Sequence, residues 1–426
     1  MDRDNLRNEV LDCGRRARAA TRSLARMSTE RKNAALLAMA DQLCVAAGTI
    51  LQANVKDVHK ATADQLSLAI IDRLSLDERR IQRMADGVRQ VAALEDPVAK
   101  VIAEWSRPNG LHISKVRVPI GVIGIIYESR PNVTSDAAVL CTKTGNAVIL
   151  RGGSESIRSN IAIAEALRAG AVSAGLPEDS IVFIPKTRRD AVRHMAEMDQ
   201  YIDLLIPRGG RALIETVVSY ARMPVIKHYV GLCIAYIDRE ADLDMAVRIV
   251  VNAKTQRPGV CNAIETVLVH REIAASFFKK IAPILREKKV EIRADFDSFR
   301  HLSALNYQPL YSAREEDWTT EYLDLILAAR IVDNIEDAIA HVEKSGSHHS
   351  DVIITRDVGQ AEKFLSEVDS ATVYWNASTR FTDGGQFGFG AEIGISTDKL
   401  HARGPMALEE LTAYKYVIRG EGQIRE

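Results

Sequence analysis

Apolar residues recur at helical spacing through residues 1–95, a stretch that is also rich in alanine. Ile81, Met84 and Val88 are three or four residues apart and would share one face of a helix. The segment Ser75–Glu78, which reads Ser-Leu-Asp-Glu, has the form of a capping box ahead of this helix. The region is therefore predicted to form amphipathic helices that cover another part of the fold and have a structural role.

Between residues 101 and 118 the pattern changes to the two-residue period of strands. Val101–Trp105 and Leu111–Val118 flank the turn sequence Arg107–Gly110 (Arg-Pro-Asn-Gly), which predicts a β-hairpin. The second arm alternates apolar and polar side chains, so one of its faces is apolar. A hairpin outside an alternating core needs a cover for such a face, and a second subunit is one candidate.

From Pro119 onward, short apolar strands alternate with helices in two series. This alternation indicates βαβ units with helices on both faces of a parallel sheet, so the predicted fold class is α/β. We expect two α/β domains with a boundary near residues 225–230. The predicted strands are Gly121–Tyr127, Ala147–Leu150, Ile181–Ile184 and Ile202–Ile206, then Gly231–Ile237, Ile264–His270, Leu325–Val332, Asp351–Thr355 and Ala371–Trp375. Helices are predicted at Ser135–Thr144 and Ser154–Ala174, and the tail at Ala413–Arg419 alternates like a strand.

Length and charge narrow the class of protein. The chain has 426 residues, enough for two or three domains with packed cores. Lys and Arg number 56 against 57 Asp and Glu, a balance that argues against a nucleic-acid partner bound through the overall field. The N-terminus lacks the apolar stretch of a signal peptide. No membrane partner is expected, because the longest apolar run, Val118–Tyr127, is about half of the ~20 residues that a membrane helix needs.

The five cysteines are odd in number and widely spaced, with no Cys-x-x-Cys pair. This arrangement disfavours a disulfide framework and a zinc knuckle, and it predicts a reducing, cytoplasmic location. His348 and His349 have no carboxylates at ligand spacing, so no metal site is expected. Cys261 lies on a loop beside Gly259, where a thiol is either a nucleophile or an inert loop residue. The others are interpreted as small buried hydrophobic residues: Cys13, Cys44, Cys141 and Cys233.

Two glycine-rich loops follow strands of the first series and open helices. They consist of Arg151, Gly152, Gly153 and Ser154, and of Pro207, Arg208, Gly209 and Gly210. Such loops place backbone N–H groups and a helix N-terminus at the carboxyl end of a parallel strand, where phosphate groups bind. Tight turns explain such loops as well, but two in one sheet favour a phosphate-bearing cofactor. A third glycine-rich stretch, Thr382–Gly390, is either a mobile closing loop or a plain turn.

Asn132 ends the loop after the first strand of this series, just before a helix. It is either the N-cap of that helix or an amide that donates a hydrogen bond to a developing oxyanion. The neighbouring residues alone do not decide between these two roles.

Five segments, in their order along the chain, resemble the signature sequences of the gamma-glutamyl phosphate reductases, a family of the aldehyde dehydrogenase superfamily. The segments are Val118–Thr134, Leu150–Glu155, Ile206–Gly210, Gln256–Asn262 and Ala391–Thr397. The resemblance covers nearly the whole chain, and this collinearity is more specific than any single motif. It implies an aldehyde dehydrogenase-like fold with a Rossmann-like cofactor domain, an α/β catalytic domain and a β-hairpin and tail for oligomerisation.

The resemblance also implies how the chain is divided among these parts. The NADPH-binding domain would comprise residues 1–100 and 119–228, the catalytic domain residues 229–380, and the oligomerisation element residues 101–118 and 400–426. A homo-oligomer is expected, and an association with glutamate 5-kinase is left open.

Site residues follow from the same resemblance. Cys261 would be the nucleophile, and Asn132 with the backbone N–H of Cys261 would form the oxyanion hole. Glu392 would hold the nicotinamide ribose, and both glycine-rich loops match cofactor-binding loops. Either Arg151 or Arg208 would meet the 2′-phosphate of NADP.

The implied reaction is the NADPH-dependent reduction of L-gamma-glutamyl 5-phosphate to L-glutamate 5-semialdehyde in proline biosynthesis, with phosphate released through a Cys261 thioester. Ser129 and Arg130 are candidate contacts for the carboxylate or phosphate of this substrate. Hydrolytic members of the superfamily carry a glutamate base in a Glu-Leu-Gly-Gly stretch, whereas the corresponding Lys227–Gly231 has no carboxylate. A base that activates water would destroy a thioester meant for phosphate.

Two other interpretations of the sequence remain. One is a related aldehyde dehydrogenase that uses another acyl acceptor, such as CoA. The other is a non-catalytic oligomeric scaffold that has kept the fold. A comparison of acyl acceptors separates the first from a phosphate-dependent enzyme, and an NADPH-dependent assay tests the second.

Overall fold

The computed structural model describes residues 2–227 and 229–425. The chain forms two compact units, which we call the first and the second unit. The first comprises Met1–Lys227, Gly388–Gly394 and Met406–Glu426, and the second comprises His228–Phe387 and Ile395–Pro405. The roles that we expect for separate domains stay predictions.

Helices open the first unit, as the helical spacing predicted. They are α1 (Asp2–Leu24), α2 (Thr29–Val45), α3 (Ala47–Ala63), α4 (Leu68–Leu74) and α5 (Glu78–Ala93). The predicted capping box is wrong, because Ser75 ends α4 and its Oγ donates to the carbonyl oxygen of Ile71 at 2.7 Å. Asp77 caps α5 instead, and its Oδ1 accepts from the Arg80 N–H at 2.6 Å. Ser75 and Asp77 are both good capping residues and lie two positions apart, so the serine ends α4 and the aspartate begins α5.

Within the described residues, no single helix has both the length and the apolar character needed to cross a membrane. The consecutive helices α2 and α3 meet that test only as a pair, bent by 63°. In this fold α2 is a packed helix, since Leu36, Met39 and Leu43 are fully buried.

A hairpin and a parallel sheet follow in the first unit. Strands β1 (Val101–Ser106) and β2 (His112–Pro119) pair antiparallel, which confirms the predicted hairpin. Four parallel strands then form a sheet in the order β5-β4-β3-β6. These strands are β3 (Val122–Tyr127), β4 (Ala147–Arg151), β5 (Ile181–Phe183) and β6 (Leu204–Arg208). Every residue of β3 and β4 is buried, as expected for parallel strands inside an α/β fold.

A helix follows each strand of this sheet along the chain. These helices are α6 (Asn132–Lys143), α7 (Ile157–Ser173), α8 (Asp190–Ala196) and α9 (Arg211–Tyr220). Helix α6 begins three residues before the predicted start, so Asn132 is its first residue. Helix α7 begins three residues after the predicted start, because Ser154–Ser156 forms a tighter 3₁₀ turn.

The second unit contains a seven-stranded parallel sheet in the order β10-β9-β11-β8-β7-β12-β13. Its strands are β7 (Cys233–Ile237), β8 (Ile264–His270), β9 (Glu291–Ala294), β10 (Leu310–Ser312), β11 (Ile326–Val332), β12 (Ser350–Ile354) and β13 (Thr372–Trp375). Its helices are α10 (Leu243–Thr255), α11 (Ala274–Glu287), α12 (Phe296–Ala304), α13 (Ile335–Ser345) and α14 (Val358–Glu367). Apolar side chains of α10, α11 and α12 pack in one core and those of α13 and α14 in another, so helices cover both faces of the sheet.

Two small strand pairings complete the fold. Strands β14 (Gly394–Ser396) and β15 (Gly404–Met406) form a two-stranded sheet. The predicted C-terminal strand is present as β16 (Thr412–Arg419), which pairs antiparallel with β2. The resulting three-stranded sheet, in the order β1-β2-β16, belongs to the first unit, and every residue of β1 is exposed.

Candidate active site

The loops that follow β3, β4 and β6 meet at one edge of the first unit's sheet, because all these strands are parallel. Glu128, which follows β3, donates its N–H to the Arg208 carbonyl at 3.0 Å and accepts at Oε2 from the Gly210 N–H at 2.9 Å. Ser129 donates its N–H and its Oγ hydrogen to Glu155 Oε1 at 2.6 and 2.7 Å. Two glutamates therefore tie the β3 loop to both glycine-rich loops.

The glycines of these loops allow that close approach. A Cβ at Gly209 would lie 2.5 Å from the Glu128 carboxylate, and one at Gly153 would overlap the Glu155 carboxylate. Ser129 adopts the left-handed region at φ 41°, which a non-glycine residue seldom does. The loops thus serve in part as tight internal packing, and the Gly210 N–H already has an acidic partner.

The two predicted cofactor arginines differ in their surroundings. Arg151 is buried, its Nη2 donates to the Thr187 carbonyl at 2.9 Å, and burial lowers the pKa of its guanidinium. The buried Nε of Arg151 has no hydrogen-bond partner within the described residues. Arg208 is partly exposed, and its guanidinium makes no hydrogen bond or ion pair with any residue that the structure describes.

The segment that carries Glu392 lies beside Arg208. A Cβ at Gly394, two residues after Glu392, would lie 2.6 Å from Nη1 of Arg208. Glu392 itself is partly buried. The structure therefore brings together one of the two predicted phosphate-binding arginines and the segment predicted to hold the nicotinamide ribose.

Asn132 is the first residue of α6 rather than its N-cap, so the capping interpretation of this residue is wrong; Pro131 occupies the cap position. The side chain of Asn132 is exposed, and its Nδ2 donates to Asp136 Oδ2 at 2.9 Å, one turn along the helix. Burial raises the pKa of Asp136 to about 6, against the opposing effect of this hydrogen bond. An amide NH₂ has two hydrogens, so one remains for another acceptor. Asp136 was not predicted from the sequence, although its position four residues after Asn132, on the same face of a helix, could have indicated the contact.

Cys261 lies in the second unit, on the loop between α10 and β8, and it is partly exposed. The carbonyl of Cys261 accepts from Cys233 Sγ at 3.2 Å, and the Ala263 N–H donates to the Val260 carbonyl at 3.1 Å. A Cβ at Gly231 would overlap the Cα and carbonyl of Cys261, so only glycine fits there. The position of this thiol is thus fixed through its backbone.

A second segment of the same unit holds the cysteine loop from the other side. Asn262 Nδ2 donates to the Thr382 carbonyl at 2.8 Å, and Thr379 Oγ1 donates to the Asn262 carbonyl at 2.7 Å. Between these residues, Arg380 Nε donates to Gln256 Oε1 at 2.9 Å. The sequence analysis missed these residues, because the contacts join positions more than 100 residues apart.

The backbone of Gly231, at the end of the Lys227–Gly231 stretch, bonds to a carboxylate from another part of the second unit. Oε1 of Glu321 accepts from the Gly231 N–H at 2.9 Å, and burial raises the pKa of Glu321. His228, within the stretch compared with hydrolytic enzymes, lies outside the described residues. Glu321 is thus an acidic group that the local sequence comparison could not reveal.

The other cysteines differ from Cys261 in their environment. Cys13, Cys141 and Cys233 are buried, and burial raises the pKa of each thiol. The prediction of a buried position is wrong for Cys44, which is partly exposed and lies near Gln82 of the neighbouring helix α5. In the ranges 2–227 and 229–425, no group of three or more His, Cys, Asp or Glu residues could hold a metal ion.

The two residues predicted to contact the substrate, Ser129 and Arg130, differ in their surroundings. The Ser129 hydroxyl is engaged by Glu155, as described above, and Arg130 is exposed. Asn132 and the glycine-rich loops belong to the first unit, and Cys261 belongs to the second.

Comparison with known proteins shows the relationship of the chain. The model of the aldehyde dehydrogenase family matches residues 4–329. A gamma-glutamyl phosphate reductase from Moorella thermoacetica is 56% identical over 422 residues, covering 99% of this chain and 100% of that protein. The crystal structure of gamma-glutamyl phosphate reductase from Thermotoga maritima has a TM-score of 0.95 at 47% identity, covering 98% of this chain and 100% of that chain.

A more distant structure shares the fold alone. An acetylating aldehyde dehydrogenase from Geobacillus thermoglucosidasius has a TM-score of 0.71 at 17% identity, covering 100% of this chain and 99% of that chain. The aldehyde dehydrogenase family uses nicotinamide cofactors. The similarity to gamma-glutamyl phosphate reductases supports a role in the reduction of a phosphorylated glutamate in proline biosynthesis. The family resemblance and the α/β fold predicted from the sequence are therefore confirmed. The chain belongs to the aldehyde dehydrogenase family, among the gamma-glutamyl phosphate reductases, and is an oxidoreductase acting on an aldehyde or its acyl phosphate.

Proposed function

We propose that this chain reduces L-gamma-glutamyl 5-phosphate to L-glutamate 5-semialdehyde with NADPH, releasing phosphate through a thioester on Cys261. The observation that carries the proposal is the setting of Cys261. Among the five cysteines it alone combines partial exposure with a loop whose backbone is held on both sides, by Gly231 and by the segment after Ser378.

The first step is attack of the Cys261 thiolate on the acyl carbon. A carbon–sulfur bond forms, the bond to the phosphate oxygen breaks, and phosphate leaves with the electron pair. The free amide hydrogen of Asn132 and the Cys261 N–H stabilise the oxyanion, an effect of roughly 3–4 kcal/mol for one well-placed donor. After reduction of the thioester, the same donors stabilise the thiohemiacetal oxyanion, which collapses to the aldehyde and returns the thiolate.

The residues present fit a phosphate-bearing nicotinamide cofactor, which when bound supplies the hydride. Glycine-rich loops open α7 and α9, and Arg208 presents a guanidinium without a protein partner among the described residues. Of the two arginines, Arg208 is the better candidate for a phosphate contact with the cofactor, because Arg151 is buried and bonded to Thr187. The place of Arg208 beside the Glu392 segment fits the pyrophosphate better than the 2′-phosphate, which lies on the adenosine ribose at the far end of NADPH. Glu392 would hold the nicotinamide ribose.

Substrate contacts differ in how well the structure supports them. Arg130 is exposed and carries a charge suited to a carboxylate or phosphate. Ser129 is less suited, since its hydroxyl and N–H both serve Glu155. An Arg130→Ala variant with unchanged substrate affinity would refute the binding role.

A homo-oligomer is part of the proposal. Trp105, Tyr414, Tyr416 and Ile418 are exposed on the sheet β1-β2-β16 and offer an apolar surface to another subunit. An association with glutamate 5-kinase would shorten the path of an unstable acyl phosphate. A cytoplasmic location fits a free thiol at Cys261, because oxidation would stop the enzyme.

The test is steady-state reduction of NADP with glutamate semialdehyde, with and without phosphate. We expect turnover to depend on phosphate and Cys261→Ala to abolish it, whereas Cys44→Ala, at the other partly exposed cysteine, keeps it. Retained turnover in Cys261→Ala would overturn the proposal. Turnover with CoA in place of phosphate would favour an acyl-CoA enzyme, and no NADPH-dependent activity at all would favour a scaffold.

A further inference from the structure

Two arginines of the second unit lie at the cysteine loop with no acidic partner. Arg257 precedes Cys261 by four residues and is exposed, and Arg380 is partly buried. Neither guanidinium forms an ion pair with a carboxylate anywhere in residues 2–227 and 229–425. We infer that Arg257 and Arg380 form an anion subsite that holds the phosphate group of the acyl phosphate beside Cys261. This inference rests on the proposed function and names the residues that serve the leaving group.

Hydrogen bonds from the neighbouring backbone segment and from the side chain of Arg380 hold this residue against the cysteine loop. Its neighbours Thr379 and Thr382 bond to Asn262, which directly follows Cys261. Its Nε donates to the Oε1 of Gln256, the residue before Arg257, at 2.9 Å. The side chain is thereby oriented while its two Nη groups keep their hydrogens for a ligand.

The charges around this pair favour an anion. Burial, and after it the neighbouring charge of Arg257, lower the pKa of Arg380, while charges on Cys261 and Asp383 act in the opposite direction. Asp383 lies nearby but forms no ion pair with either guanidinium among the described residues, and its Oδ1 accepts from the N–H groups of Gly385 and Gln386 at 2.9 and 3.2 Å. Two guanidinium groups that repel each other are stabilised when an anion binds to both.

The phosphate fits this subsite better than the other end of the substrate. Phosphate departs from the carbon that Cys261 attacks, so it must lie beside the cysteine loop. It is a dianion with several acceptor oxygens, which two planar guanidinium forks can share. The α-carboxylate lies several bonds further away and carries an ammonium group on the neighbouring carbon, which a doubly cationic pocket would repel.

The experiment measures NADP reduction by semialdehyde at varied phosphate in Arg257→Gln and Arg380→Gln. We expect the KM for phosphate to rise at least about tenfold in each variant, the size of one lost charge-assisted contact, while the KM for semialdehyde changes less than about twofold. Arg248→Gln is the matched control, since Arg248 is an exposed arginine of α10 in the same unit without an ion pair among the described residues. It should leave both constants unchanged.

A second readout needs no turnover. Inorganic phosphate should slow alkylation of Cys261 by iodoacetamide in the wild-type protein and lose this effect in both variants. Arg380→Lys, which keeps the charge but not the fork, should fall between wild type and Arg380→Gln. A raised KM for semialdehyde with an unchanged KM for phosphate would assign the two arginines to the substrate carboxylate, and two unchanged KM values would exclude them from the site. Either result overturns the inference. The proposed function would still stand, provided that turnover depends on phosphate.

Discussion

At the scale of single residues, the Asp136 carboxyl sets the direction of the Asn132 amide through a 2.9 Å hydrogen bond. An oxyanion donor has to lie within hydrogen-bond distance of the charge that develops, so a freely rotating amide is less effective. We expect Asp136→Ala to lower kcat about tenfold with little change in KM. Asp136→Asn keeps an acceptor oxygen and should retain most of the activity. Steady-state kinetics on both variants measure this, and wild-type kcat in the alanine variant would contradict it.

The same carboxyl makes stability depend on pH. Burial raises the pKa of Asp136 to about 6, whereas an unfolded chain has an aspartate pKa of about 3.9. Because the folded value is the higher one, the stabilisation by protonation is fully present below about pH 4 and is lost as the pH rises through 6. Asp136→Asn should therefore melt above wild type at pH 8 and lose that advantage near pH 4. A difference in melting temperature that stays constant over this range would show that Asp136 does not titrate as described.

Individual residues also show where inference from the sequence ends. The loop position of Cys261 and its place in a family motif could be recognised in the sequence, and so could the glycine-rich loops. The contacts that hold Cys261 could not, because Glu321 bonds to Gly231 across 90 residues and Asn262 to Thr382 across 120. Such hydrogen bonds leave no periodic pattern in a sequence.

At the scale of elements, helices α2 and α7 pack at close range in the first unit. A methyl group at Gly170 of α7 would lie 2.5 Å from the Met39 Cα and 2.7 Å from the Ala38 carbonyl oxygen. Both are backbone atoms, so the helices would have to separate. We expect Gly170→Ala to cost about 1–3 kcal/mol of stability, despite the better helix propensity of alanine.

The control for this prediction is Gly87→Ala in α5, where no atom lies within 4 Å of the added methyl group. That variant should gain roughly 0.5–1 kcal/mol, because alanine restricts the unfolded chain and favours the helix. Thermal and denaturant unfolding of both variants measure the two changes. Equal shifts in the same direction would mean that the helix contact is not tight.

Element prediction succeeded where burial imposes a strong pattern. Strands such as β3 and β7 are buried at every position and appear as continuous apolar runs. Residues 288–312 were missed, although they contain β9, α12 and β10. Strand β9 has only four residues, with Glu291 and Arg293 alternating with two buried side chains, and β10 has three. Segments this short give too few positions to define a period.

At the scale of the whole molecule, the sheet β1-β2-β16 presents several large apolar side chains to solvent in the single chain. Tyr414, Tyr416 and Ile418 of β16 are 52%, 54% and 58% exposed, and Trp105 of β1 packs edge-on against Tyr416 at 6.2 Å between ring centroids. Strand β16 is also an edge of this sheet in the described chain. Apolar side chains and a strand edge in one place are features of an interface with another chain.

We therefore expect the protein to form a homo-oligomer through this sheet, and Tyr416→Asp with Ile418→Asp to reduce it to a smaller species. A charge in the apolar centre of an interface has to be desolvated, which opposes association strongly. Phe296→Asp is the matched control, because Phe296 is 78% exposed on α12 of the second unit and should leave assembly unchanged. Light scattering after size-exclusion chromatography gives the mass, and circular dichroism checks the fold. If the double variant keeps the wild-type mass, or if Phe296→Asp lowers it as much, the assembly uses another surface.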